Sequence, residues 1–204
     1  MRGQRLRVWW GNRRALLWRD ERAAALVEFA VALPLLVVFV VGIFDFSNAF
    51  TLKQRLTNIA RDAALASAYD PASDIQTALP VSVADAYQVV YNYLVASNLN
   101  TCGISQTATN TGLTWVFASA GNGCPSAGLV ITVNRGYNFP ANATSIAPTT
   151  CVSPSASGQL ALISTCVSIQ YPYTWKFGNV ASLLGPNMIL PTQITAVAVS
   201  MNEN

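Results

Sequence analysis

The chain has 204 residues, of which 52% are hydrophobic and only 10% charged, with a formal net charge of +3 and no histidine. Without histidine, Ser-His-Asp and Cys-His catalytic arrangements are closed to it, as is every histidine-ligated metal site. The positive excess lies before residue 23, whereas from Asp45 onward Asp45, Asp62, Asp70, Asp74, Asp85 and Glu203 nearly balance Lys53, Arg55, Arg61, Arg135 and Lys176, which argues against a nucleic-acid face.

Residues 1–22 form a basic stub carrying Arg2, Arg5, Arg7, Arg13, Arg14, Arg19 and Arg22, with Trp9, Trp10 and Trp18 among them. This mixture suits an interfacial segment that meets anionic lipid headgroups. Residues 23–44 then form an apolar run with one charge, Glu28. As a helix rising about 1.5 Å per residue, the run extends roughly 33 Å, enough to cross a hydrocarbon core of about 30 Å. It is longer than the apolar core of a secretory signal peptide, and no small-residue cleavage site directly follows Phe44. Arginine asymmetry predicts a cytoplasmic N-terminus, with the chain after Phe44 outside. A carboxylate at the centre of a bilayer costs ~2 to 3 kcal/mol, and less near the interface. Glu28 therefore either snorkels toward Arg22 and solvent or answers a charge on another molecule. Pro34 removes one helical hydrogen bond, a defect that membrane helices tolerate.

The helical pattern continues past the run. Ala49, Leu52, Leu56, Ile59, Ala63 and Ala66 recur every three or four residues, with Lys53, Arg55, Asn58 and Asp62 off that stripe. The helix is predicted to end near Tyr69-Asp70-Pro71, because proline disfavours helical backbone in the residue before it. A second helix is predicted from Ser82 to about Asn98, with Ser82 and Asp85 as a capping box and Val83, Ala86, Tyr87, Val90 and Leu94 along one face. Beyond Cys102, runs rich in β-branched and aromatic residues predict strands over 113–119, 128–134, 160–175 and 193–201. The stretch 138–158, rich in Pro, Ser, Thr and Ala, reads as a loop. The expected fold is α+β, with a long N-terminal transmembrane helix extending into an outer domain that has a second helix and an antiparallel sheet. The expected segments are 1–22, 23–44, a helical part 45–100 and a sheet part 101–204.

Cys102, Cys124, Cys151 and Cys166 all lie on the predicted outer side. In an oxidising compartment four cysteines suggest two disulfides. Zinc is the weaker reading, since there is no C-x-x-C pair and no histidine. Of the three connectivities, Cys102 with Cys124 and Cys151 with Cys166 closes the shortest loops; the other two stay open at this point.

Arg19-Asp20-Glu21-Arg22-Ala23-Ala24-Ala25-Leu26-Val27-Glu28-Phe29-Ala30, with Leu33-Pro34-Leu35-Leu36 and Gly42-Ile43-Phe44-Asp45-Phe46, resembles the N-terminal signature of TadE-like proteins of the tight-adherence (Flp) branch of type IV pilus machines. Further similarity lies in 54–64, in Tyr171-Pro172-Tyr173-Thr174-Trp175 and in 194–203. The resemblance implies a pilin-like fold and a pseudopilin or minor pilin in the inner membrane, its C-terminal domain in the periplasm or the assembled pilus. It implies other pilin-like subunits as partners, with prepilin peptidase and inner-membrane platform proteins as further candidates beside membrane lipid. It also implies Glu28 and Phe29 as subunit-assembly residues. The peptidase cut would fall between Ala23 and Ala24, which makes Glu28 fifth in the trimmed chain; where pilins usually carry glycine before the cut, this chain has Ala23.

No cofactor or catalytic group is expected. The outer carboxylates are few, and Asp70 and Asp74 more simply serve the turn around Pro71. No Gly-rich phosphate loop with a lysine occurs. The alternative class is a single-pass, membrane-anchored adhesive or binding domain presenting Tyr87, Tyr91, Tyr93, Trp115 and Trp175.

Overall fold

The computed structural model describes residues 13–71, 73, 75–125, 128–140, 150–152, 161–176, 178 and 190–202, with side chains described from residue 23 onward except at 139, 140, 161 and 162. Arg2, Arg5, Arg7, Trp9 and Trp10 of the stub, Asp74, Glu203 and most of the predicted loop 138–158 lie outside the described residues. The elements are α1 (Arg13–Tyr69), α2 (Val81–Ala96), β1 (Ala108–Thr111), β2 (Thr114–Ala118), β3 (Val130–Pro140), β4 (Ala161–Pro172) and β5 (Gln193–Met201). The fold is α+β, as the sequence predicts. The chain divides into two compact units, 1–45 and 46–204.

In the second unit, β1 to β5 form one antiparallel sheet in sequence order. Period-2 alternation puts Trp115 and Phe117 of β2, Ile131 and Val133 of β3, Val167 and Ile169 of β4, and Ile194 and Ala196 of β5 in the main core. Their register matches: Trp115 faces Val133, Phe117 faces Ile131, and Ile169 lies between Ile131 and Ala196. The predicted helical stripe supplies the other layer, with Ala49, Leu56, Ile59 and Ala63 buried and Leu52 partly buried, while Arg55, Asn58 and Asp62 stay exposed. Alanines at 60, 63 and 64 keep α1 narrow where it packs. α2 adds Val83, Ala86, Tyr87, Val90 and Leu94 to the same core.

The start of α2 corrects the expected capping box. Pro80 is the N-cap residue, with φ −61° and ψ 149°, and no side chain caps the helix. Its carbonyl accepts from Val83 N at 3.1 Å and Ala84 N at 2.9 Å. Ser82 lies inside the first turn, buried. Proline's fixed φ sets the helix entry two residues earlier than a cap at Ser82 would. At the other end Asn98, at φ 53°, takes the left-handed conformation that stops helices.

β3 also departs from expectation, running on to Pro140 where a loop was expected from Asn138. The register shifts between Asn134 and Tyr137, which pair with Cys166 and Ser164, so three residue steps on β3 face two on β4. This bulge lets the strand continue with its faces exchanged. Gly136 lies at the bend, where a Cβ would come within 2.4 Å of Leu113 Cδ1, so no larger residue fits without displacing that side chain. β1, absent from the sequence reading, is a polar edge strand joined to β2 through Gly112 at φ 63°.

Candidate functional site

Over residues 23–44 nearly every side chain of α1 is exposed. Leu26 and Val31 are each 70% exposed, and Leu35, Leu36, Phe39, Ile43 and Phe44 are likewise open. Such a surface has no internal core to bury it, and its length and composition suit it to lipid or to packing on other apolar helices. Glu28 belongs to this surface. At helical spacing Ala32, Leu35 and Phe39 fall on its side, and with Leu36 these residues line a shallow apolar groove of about 740 Å³. Ala32, one turn on from Glu28, leaves the carboxylate open on that side. No bond joins Glu28 to another described side chain.

Phe29 is 64% exposed but lies about 100° further round the helix than Glu28, so the two assembly candidates occupy different faces. Ala23 and Ala24 are exposed on α1. Pro34 lies inside the unbroken helix, and its missing N–H leaves the Ala30 carbonyl without its usual partner.

Several polar groups of the second unit are answered internally. Cys102 is bonded to Cys124 with Cα atoms 5.3 Å apart, and Cys151 to Cys166 at 5.5 Å. The first bond ties the turn after α2 to the loop before β3. There Asn100 donates Nδ2 to Gly123 O at 2.8 Å and accepts at Oδ1 from Cys102 N at 2.9 Å. The second bond pins the 150–152 segment over the other side of the sheet, beside Tyr137, Val197 and Val199. Asn134 Nδ2 donates to Cys151 O at 2.8 Å.

Sequence reasoning missed Arg135, which had served only in the charge balance. Two residues after Val133, its side chain falls on the same face of β3 and reaches the end of α1, where it is 2% exposed. Nη1 donates to Ser67 O and, at 3.0 Å, to Thr165 Oγ1; Nη2 donates to Asp70 O at 2.9 Å. A guanidinium on the last carbonyls of a helix satisfies orphan acceptors and meets the negative end of the helix dipole. Thr165 Oγ1 donates to Asn202 Oδ1 at 2.6 Å, and Asn202 Nδ2 returns to Arg135 O at 3.2 Å, which binds the end of β5 into the same network. A lone arginine before a glycine in a β-branched run is the signal that was there to be read.

Lys53 is the other notable cation. It donates to Thr195 O on the edge strand β5, and loss of surrounding water holds its pKa below the ordinary lysine value. The aromatic set of the adhesive alternative does not gather on one surface. Trp115 is fully buried and donates Nε1 to Ala78 O at 3.0 Å, while the Tyr87 ring lies tilted with its centroid 4.7 Å from that of Phe117 and its hydroxyl donates to Ile104 O at 3.3 Å.

By build the protein is a long apolar helix joined to a disulfide-closed α+β domain. The family model described as TadE-like protein matches residues 23–65, so over that stretch the chain is similar to TadE-like proteins. This bears out the resemblance read from Glu28-Phe29, Leu33-Pro34 and residues 54–64; Tyr171 to Trp175 and 194–203 lie outside the match. No curated protein and no solved structure matches the chain. The family suggests a pilus-associated, pilin-like protein with other pilus subunits as partners, and the apolar helix suggests a single-pass membrane anchor.

Proposed function

We propose that this chain is a structural and assembly subunit, a pseudopilin or minor pilin, of a Tad/Flp type IV pilus. Residues 23–44 anchor it in the inner membrane, the arginine-rich stub faces the cytoplasm and the disulfide-closed unit lies in the periplasm or the pilus. The observation that carries this reading is the open apolar surface of a TadE-like helix, interrupted by a single carboxylate. Subunits pack through that surface, and Glu28 compensates a positive group on a neighbour, such as the amino terminus created by a cut between Ala23 and Ala24. Its cost, below the ~2 to 3 kcal/mol of the bilayer centre because it lies near the start of the run, falls further when such a partner is present. Phe29, on the adjacent face, packs against a further neighbour. Prepilin peptidase and the inner-membrane platform are the machinery such a subunit would meet.

Affinity capture of the full chain from detergent-solubilised membranes tests the reading. Recovery of other pilin-like subunits is the expected result. Recovery of the chain alone, with pili normal in its absence, would refute it and favour a free-standing adhesive domain. That second reading is weakened because Tyr87 and Trp115, two of its five aromatics, are in the core.

A further inference from the structure

Aromatic residues gather where α1 leaves the apolar run. Phe46 comes two residues after Phe44, about 3 Å of helical rise, and its ring centroid lies 5.1 Å from that of Trp175. Trp175 meets Tyr173 edge-on at 5.0 Å. This pair is held in place from the chain that leads into β5. Trp175 Nε1 donates to Pro191 O at 2.6 Å, and Tyr173 N donates to Thr192 O at 2.9 Å. Phe50 stands one turn beyond Phe46 on the same side of α1, and both rings are more than half exposed. Lys53 follows at the next helical step, and the exposed Lys176 comes directly after Trp175.

A water-facing domain surface has little reason to keep Phe46 and Phe50 open beside a half-buried tryptophan and tyrosine. Aromatic rings flanked by lysines are the composition of the membrane–water interface, where amphipathic rings sit among headgroups and cations meet lipid phosphates. Chain length agrees. Residues 23–44 extend roughly 33 Å against about 30 Å of hydrocarbon, so a residue two positions beyond falls in the headgroup layer. Phe46 reaches that level by sequence; Trp175 and Tyr173 reach it only because the fold packs them on Phe46.

We propose that Phe46, Phe50, Tyr173 and Trp175, rimmed by Lys53 and Lys176, form a lipid-docking corner that inserts into the headgroup layer of the outer leaflet. The inference rests on the reading of residues 23–44 as a membrane anchor. The corner fixes the depth of the helix in the bilayer and holds the adjoining surface of the domain at the membrane until the subunit is taken into an assembly.

Nitroxide quenching of tryptophan emission tests it in the full chain reconstituted into phosphatidylethanolamine–phosphatidylglycerol vesicles. In a W9F/W10F/W18F background only Trp115 and Trp175 emit, and the emission lost on adding W175F belongs to Trp175. A nitroxide just below the lipid headgroup should quench Trp175 several-fold more than the buried Trp115, and more than a nitroxide at the acyl end does. F39W, placed in the W175F background, reports the anchor and should be quenched by the acyl-end nitroxide. If F39W is quenched and Trp175 is not, the corner faces water or another subunit; the inference falls and the anchor stands. Stronger quenching of Trp175 from the acyl end would also overturn it, and an unquenched F39W would remove the anchor and the inference together.

Discussion

Leu36 and Leu56 are the same residue type on the same helix, yet Leu36 is 61% exposed and Leu56 fully buried. The contrast extends to the charges. Arg135, inside the second unit, reaches two backbone carbonyls and a threonine hydroxyl, whereas Glu28, on the apolar surface of the first, is bonded to no described side chain. A charge answered from within its own chain is part of the architecture. A charge set on an apolar surface with no answer among the described side chains directs attention to what lies beyond them, and this is why Glu28 and not Arg135 is proposed for assembly.

The contrast can be broken first at Arg135. Arg135→Met keeps most of the stem but leaves the Ser67 and Asp70 carbonyls without their donor, and should destabilise the second unit by about 4 kcal/mol. Urea unfolding of the detergent-solubilised chain, followed by Trp115 emission, measures it; a loss below about 1 kcal/mol would mean that water replaces the guanidinium. Next come the disulfides. Opening Cys151–Cys166, which closes a 15-residue separation, should cost about 3 kcal/mol and make the second unit protease-sensitive. Peptide mapping without reductant should recover both pairs as bonded here, and a Cys124–Cys151 peptide would contradict them. The two leucines give the sharpest contrast and include the smallest effect. Leu56→Ala should cost about 3 kcal/mol of the second unit's stability, and Leu36→Ala less than about 0.5 kcal/mol. Equal losses would show that residues 23–44 share a core with that unit.

Much of this was legible in the residues. The stripe from Ala49 to Ala63 and the alternation in β5 are periodic signals, and periodicity survives folding because it is what buries a face. Glu28 stood out because its surroundings are so uniform. The features that escaped depend on contacts distant in sequence. Arg135 meets carbonyls at 67 and 70 only once β3 lies against the end of α1, across separations of 68 and 65 residues that no local pattern shows. Trp175 finds Phe46 across most of the domain. At α2, Ser82 and Asp85 matched a capping pattern, but Pro80 fixed the entry first, since backbone restriction at proline outweighs one side-chain hydrogen bond.

The central claim, that the lone carboxylate of the apolar surface serves subunit packing, is tested most directly by Glu28→Gln in cells that build the pilus. The account expects the variant to reach the inner membrane at normal levels with both disulfides formed, because an amide is less costly to bury than a carboxylate. It should nevertheless fail to co-purify with other pilin-like subunits and fail to support pili. Normal pili and normal co-purification would contradict the account, because a glutamate that merely reaches the interface contributes little when its charge is removed.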